Sequence, residues 1–296
     1  MTHIKAQIIN GFTKDGNGGN PAGVVLNADQ YSEEQMLKIA QKIGLSETAF
    51  VSSSHSDTYK LDFFTPNQRI AHCGHATIAT FSYLAEKGLL QEGAASKETV
   101  DGSRKILIQK GMAYMEQVAP IYSEPNQWSE ASVEKAEVLK ALNLSSSDLI
   151  DGAPIIKVNT GNSFVIIPIK NCSTLAKLKP NLDLIEDISN KLDLIGFYAF
   201  TQQHTEKSIA ATTRMFAPRF AIDEESATGM AAGPLACYLY DYLGQRFSEI
   251  TIEQGAYMTP KSPSLICVAL SLHKQRITGL MAGGYGKVMK ELDIRL

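Results

Sequence analysis

The chain has 296 residues, 44% of them hydrophobic and 20% charged, an ordinary composition for a folded globular protein. Its formal net charge is −3 with both signs mixed along the chain, which argues against a nucleic-acid-binding surface, and no apolar run approaches the ~20 residues of a membrane-spanning helix. Four widely spaced cysteines with no Cys-x-x-Cys pair read as reduced thiols, so a cytoplasmic protein is expected.

The length predicts two domains, with boundaries expected at 1–120 and 121–296 and the C-terminal segment able to return to the first. Residues 4–10 alternate like a strand, and a Gly/Asn loop over 14–23 opens onto a second strand. Ser32 followed by Gln35 has the form of a capping box for a helix over 33–43, closed by Gly44. "TAFV" and "YKLDFFT" are strands by their β-branched and aromatic content. A helix is expected from Gly74 to about Lys87, with Gly88 at its C-terminal cap, and two strands flank Gly111. The polar, Pro-containing stretch 119–132, which carries the single tryptophan, is the best linker candidate. After it come a helix over 133–142, one strand over 154–169, helical segments at 172–178 and 181–192, and strands at 196–202 and 211–217. A strong helix over 227–243 and strands at 248–255 and 264–272 precede the closing segment.

The second half repeats the order of the first. "GNPAGVVLN" from Gly19 answers "GNSFVIIPI" from Gly161, Phe50 answers Phe200, and Phe64 answers Phe216. Each Phe-x-Pro is followed by a polar loop and then by a glycine that opens an Ala-rich helix ending in Tyr-Leu. Three landmarks at nearly constant spacing favour a duplicated domain over two unrelated α+β domains.

Two equivalent helix starts, Gly74-His75 and Gly229-Met230, would make a site for a small anion, because a helix N-terminus presents backbone N–H groups and partial positive charge. Glu47 lies between Leu45 and the apolar run Ala49-Phe50-Val51, an unusual place for a carboxylate. Either it caps a turn after Gly44, or it is carried into a pocket to exchange a proton with substrate; spacing alone does not separate the two. "HCGH" brings His72, Cys73 and His75 together, but no second cluster completes a metal site, so no metal is expected. A helix start favours a thiolate, yet no base partner for Cys73 can be assigned from spacing. "GNGGNPAG" matches neither a phosphate-binding loop nor a dinucleotide fingerprint. His55, His204 and His273 read as surface residues.

"GNPAGVVL", "LSETAFV", "FFTPNQRIAHCGHATIAT" and "RMFAPRFAIDEESATGMAAGPLACYL" resemble, in order and position, the phenazine-biosynthesis PhzF-like family over nearly the whole chain. The resemblance implies an α+β, diaminopimelate-epimerase-like fold: two pseudo-symmetric domains, each a mixed β-sheet curled around a central α-helix, with the active site in the cleft between them. It places the family's catalytic Glu on Glu47 and its active-site His on His75. In the characterised isomerase of the family that Glu shuttles a proton during isomerisation of a dihydro-hydroxyanthranilate. The second-domain motif Glu-Asp-Pro-x-Thr-Gly-Ser reads here Glu224-Glu225-Ser226-Ala227-Thr228-Gly229-Met230. Glu225 keeps the charge with a longer reach, whereas Met230 replaces a hydroxyl with a flexible apolar chain, which points to a different substrate. Thiol racemases of the same fold use one cysteine from each domain; Cys73 lies where the first would be, but "EESATGM" supplies no second.

The resulting expectation is a cofactor-independent isomerase or epimerase acting on a small carboxylate-bearing metabolite. Glu47, His75 and Glu225 are its catalytic residues, and Gly74, Cys73, Gly229, Met230 and Asn20 contact substrate. A small-carboxylate binding protein without catalysis and a Cys73-dependent enzyme are the alternatives. A homodimer is implied, with no nucleic-acid or membrane partner.

Overall fold

A computed structural model describes residues 3–128, 131–203 and 206–296, so His204 lies outside the described residues. The chain divides into two compact units, 1–116 with 283–296, and 117–282. Among the described residues no helix is long and apolar enough to cross a membrane.

The first unit contains β1 (His3–Gly11), β2 (Asn20–Val25), α1 (Glu33–Ile43), β3 (Thr48–Ser52), β4 (Tyr59–Phe64), β5 (Arg69–Ile70), α2 (Gly74–Glu86), β6 (Gly93–Thr99), β7 (Gly102–Gln109) and most of β8 (Met112–Val118). The second contains β9 (Ile121–Ser123), α3 (Lys135–Ala141), β10 (Ile156–Asn159), β11 (Ser163–Pro168), α4 (Cys172–Ala176), α5 (Leu182–Leu192), β12 (Gly196–Thr201), β13 (Ala211–Ala217), β14 (Ile222–Glu225), α6 (Gly229–Tyr242), β15 (Glu249–Gln254), β16 (Ser264–His273) and most of β17 (Arg276–Gly284). β18 (Gly286–Arg295) belongs to the first unit, where it pairs antiparallel with β1.

The two units share one topology. In the first, β1 and β2 are antiparallel, β2 and β3 parallel, β3 and β4 antiparallel, and β4 lies antiparallel to β5 and parallel to β6, which is antiparallel to β7. In the second, β10 to β16 repeat that sequence of pairings, with β14 in the role of β5. The helix that follows β5 or β14 is the central one: α2 packs on β1, β2, β3, β7 and β18, and α6 on β10, β11 and β16. Every residue from Gly74 to Leu84 is buried, the polar His75, Thr77, Thr80 and Ser82 included, because the helix is enclosed on all sides. The amphipathic helices lie on the opposite faces. Met36, Ile39 and Ala40 of α1 pack with Val25, Phe50 and Phe64; Ile185 and Ile188 of α5 pack with Val165, Ile167 and Phe197. The fold is therefore α+β and pseudo-symmetric, as expected.

Registers correct one detail of the repeat. Phe64 faces Thr48 and Phe216 faces Phe197, so Phe50 corresponds to Ala199, not to Phe200. Phe50 lies in the α1 cluster and Ala199 in the α5 cluster, whereas Phe200 packs edge-on against Tyr238 of α6. A one-residue slip exchanges the two faces of a strand, and letter matching cannot detect it. The single strand expected over 154–169 is a hairpin turning at Gly161, whose φ of 107° suits glycine. Residues 129–130 of the linker candidate lie outside the described residues, but its first part is structured: Ile121–Ser123 pairs with β10, and Trp128 is buried with its Nε1–H donating to Ser123 Oγ at 3.1 Å. A single large aromatic in a polar stretch was better read as an anchor.

Close approach of α2 to its sheet rests on small residues. A Cβ on Gly286 would meet Ser82 Cβ at 2.5 Å, and one on Gly11 would meet the His75 carbonyl at 2.9 Å. Gly286→Ala is expected to cost about 1–3 kcal/mol by overpacking, read as a lower urea midpoint with an unchanged slope; an unaltered midpoint would show that the contact is compliant.

Candidate active site

Glu47 immediately precedes β3, and its carbonyl accepts a hydrogen bond from Gly23 N of β2 at 3.0 Å. Parallel pairing of β2 and β3 then fixes where the residue stands. Its side chain turns toward the start of α2: Oε2 lies 3.4 Å from His75 Nε2, with Glu47 13% and His75 4% exposed. Glu47 Oε2 is buried and has no hydrogen-bond partner among the described residues. On the other edge of the imidazole, Nδ1 is 3.6 Å from Cys73 Sγ. Three of the expected site residues thus form a row of carboxylate, imidazole and thiol. Gly74 is the first residue of α2 and sits between the last two. Asn20 is buried at the start of β2 opposite Gly11, the glycine that abuts the His75 carbonyl.

The carboxylate, ring and thiol ligand atoms lie within 4.8 Å of one another, close enough to consider a cation. The ring presents different nitrogens to its two neighbours, however, so as placed it bridges them and does not close a chelate around one ion. His72, the other imidazole of "HCGH", faces elsewhere, accepting at Nδ1 from Lys97 Nζ at 2.9 Å. Burial, with Lys97 and Arg104 adding to it, holds His72 well below the usual histidine range, so it is neutral at physiological pH. Lys97, on β6, also donates to Thr77 Oγ1 at 2.7 Å, and that hydroxyl donates to the Cys73 carbonyl at 2.6 Å. Lys97 and Thr77 had no sequence signal: "GAASKETV" is polar and weakly strand-forming, and Thr77 is one small residue within an apolar helix. His55 and His273 are exposed, as expected.

In the second unit Glu225 ends β14, and the Thr228 hydroxyl donates to its Oε2. Gln254, fully buried at the end of β15, ties this corner together. Its Nε2 donates to the Glu225 carbonyl at 2.7 Å and to Thr228 Oγ1 at 3.1 Å; its Oε1 accepts from Thr228 N at 3.1 Å and from the Tyr198 hydroxyl at 2.9 Å. Burial holds the Tyr198 phenol well above its ordinary value, so it serves as a donor. Glu225 and Thr228 stand in the second-domain motif, but of Gln254 the sequence shows only a glutamine at a strand end before glycine. Glu224, the first acid of "EESATGM", is committed to a bidentate pair with Arg214 at 2.8 and 2.7 Å. Gly229 opens α6, and its carbonyl accepts from Gln117 Nε2 at 2.8 Å. Met230 Sδ accepts from Asn162 Nδ2 at 3.4 Å, which gives the thioether a polar neighbour.

The shared topology gives each first-unit group a counterpart. Aligned on Phe64 and Phe216, and then on the two helix starts, Glu47 corresponds to Gly196, Cys73 to Thr228 and His75 to Met230. The acid–imidazole–thiol row is thus confined to the first unit: the two units share a topology but not this chemistry.

A family model described as phenazine biosynthesis-like protein matches residues 9–286. An uncharacterized isomerase of Clostridium acetobutylicum is 38% identical over 235 residues, covering 78% of this chain and 77% of its own. The uncharacterized isomerase YddE of Escherichia coli K12 is 33% identical over 80% of both chains. The crystal structure of a PhzF-family phenazine biosynthesis protein from Bacillus anthracis superposes with a TM-score of 0.88 over 100% of both chains at 28% identity. A hydroxyproline epimerase from Agrobacterium vitis shares the fold at a TM-score of 0.56 and 11% identity. This chain belongs to the phenazine biosynthesis-like family, as an isomerase-type enzyme.

Proposed function

We propose that the chain is a cofactor-independent isomerase or epimerase that moves a proton on a small carboxylate-bearing metabolite, with Glu47 as the acid/base. The observation that carries this reading is the buried Glu47 Oε2, which lacks a hydrogen-bond partner among the described residues and faces His75 at the start of α2. A buried carboxylate oxygen left unsatisfied costs about 1–3 kcal/mol, and a substrate C–H or O–H reaching it would give that oxygen a use.

In the proposed step the Glu47 carboxylate takes a proton from the carbon next to the substrate carboxylate. The electron pair of the broken C–H bond, stabilised by that carboxylate, forms a new C=C as the pair of a neighbouring substrate C=C shifts one bond along, and Glu47 returns the proton to the far carbon of the original C=C, so that one C–H bond is broken, one is made and the double bond moves. His75 orients Glu47, and N–H groups of the first turn of α2 stabilise the developing negative charge. Glu225, held by Thr228, is assigned a substrate-orienting role, as the family resemblance implies; Met230 and Asn20 are assigned substrate contacts. Moving one proton between two positions requires a single carboxylate, which fits a first-unit site whose counterpart to Glu47 is glycine. The proposal includes self-association as a homodimer.

A second reading is favoured by one observation. The His75 ring touches both Cys73 and Glu47, the order in which an acid orients an imidazole that activates a thiol.

Small carboxylates that raise the unfolding temperature should be incubated with enzyme in deuterated water and followed by proton NMR. Glu47→Gln is expected to lower exchange of the substrate hydrogen by at least ~100-fold while leaving ligand-induced stabilisation in place; unchanged exchange would remove Glu47 from the chemistry. Cys73→Ser separates the two readings. It retains turnover within about tenfold if Glu47 is the base, and loses more than ~1,000-fold if the thiol reacts.

A further inference from the structure

Lys97 is an anomaly that the reaction above does not use. Its side chain is fully buried, and its two hydrogen-bond acceptors, His72 Nδ1 and Thr77 Oγ1, are both neutral groups. Phe63 of β4 lies under the ammonium, 5.0 Å from Nζ to the ring centroid. A lysine is rarely placed so deeply without a carboxylate, because a buried cation is costly.

The repeat shows that the fold does not need it. Tyr59 on β4 pairs with Lys97, and the equivalent residue on β13, Ala211, pairs with Ile252. His72 and Thr77 correspond in the same way to Ala227 and Ala232. Ile252, Ala227 and Ala232 are all fully buried, so the second unit fills the same corner with hydrocarbon. The first unit instead holds a cation and two polar groups there, beside the helix start that bears Cys73 and His75.

We propose that Lys97 is a positioning residue of the active site, whose buried ammonium, bonded to His72 and Thr77 at the start of α2, supplies the positive charge that holds an anionic substrate group beside Cys73. Through Thr77 the ammonium is linked to the Cys73 carbonyl, the cap of α2, and so adds a full charge to the partial charge of the helix terminus. The proposal deepens the reading of this cluster as a carboxylate site, but its test reads alkylation and titration and needs no turnover.

The charge is adjustable. Burial lowers the Lys97 amine to about 7; Cys73 and Asp101 oppose that shift, and Arg104 reinforces it. The charged or titratable groups facing it are thus His72 and Cys73 ahead of α2, Asp101 in the turn after β6, and Arg104 on β7. An anion bound nearby favours the protonated amine, so binding takes up a proton and weakens as pH rises through the neutral range.

Iodoacetate and iodoacetamide consume the same thiolate, each forming an S–C bond with loss of iodide, but only the first is an anion. The ratio of their rates at Cys73, followed on its peptide by mass spectrometry, therefore reports local potential independently of how much thiolate is present. The ratio is expected to be roughly tenfold higher in the wild type than in Lys97→Met at pH 6, and to converge above pH 8.5. Equal ratios in the two proteins at pH 6 would overturn the proposal.

Two further measurements apply even where Cys73 resists both reagents. Side-chain 15N NMR should show a lysine signal, absent from Lys97→Met, that titrates near pH 7; a signal that stays the neutral amine down to pH 5 would overturn the proposal, because no positive charge would then stand beside Cys73. An unfolded lysine keeps its proton to about 10.5, whereas the folded one releases it near 7. Folding therefore releases a proton between those values, and stability rises with pH across the window. The melting temperature of the wild type relative to Lys97→Met should climb from pH 7 to pH 10, and a constant difference would contradict a buried, titrating amine.

Discussion

The contact between Glu47 and His75 is the constraint on which the rest of the first unit converges. Neither residue belongs to the other's element: one stands at the edge of β3 and the other in the first turn of α2. Their 3.4 Å approach depends on the strand being fixed by β2 and on the helix being seated deep in its sheet. The glycines at 11 and 286 allow that depth, and a helix buried along its length from Gly74 to Leu84 gains enough hydrophobic contact to stay there. The reactive geometry is held by packing, with few polar contacts of its own. That leaves the carboxylate oxygen available to a ligand.

Duplication supplies an internal control for reading such features. A position that is polar in one unit and hydrocarbon in the other is not required by the shared backbone. By that criterion Glu47, His75, Lys97, His72 and Thr77 mark the first unit as chemically specialised, their counterparts being Gly196, Met230, Ile252, Ala227 and Ala232. The second unit is specialised differently. Gln254 uses both ends of its amide to fix Glu225 and Thr228, and Met230 occupies the position equivalent to the imidazole.

Much of the fold could be read from sequence, because its elements carry strong local signals. The Ser32–Gln35 capping box and Gly44 bound α1 as expected, and Gly74 and Gly88 mark the ends of α2. The phenylalanines and the Ala-rich helices exposed the repeat. Weaker signals failed for physical reasons. β6 is too polar to announce itself, and its one decisive residue, Lys97, is of a type assigned by default to the surface. The hairpin at Gly161 reads as one strand in the sequence because both arms are apolar. Trp128 reads as part of a linker in the sequence because its neighbours are polar. Of the candidate site, Glu47, Cys73 and His75 could be named from their motifs, but that the imidazole lies between the other two follows only from the tertiary path of the chain. Gln254 and Lys97 act through contacts distant in sequence, which no local pattern encodes.

The most direct test of this account is a crystal structure with a bound small carboxylate, chosen from those that raise the unfolding temperature. The ligand's acidic carbon is expected within about 3.5 Å of Glu47 Oε2, with its carboxylate at the first turn of α2. A ligand seated away from residue 47, or a Glu47 side chain turned out to solvent with ligand bound, would contradict it.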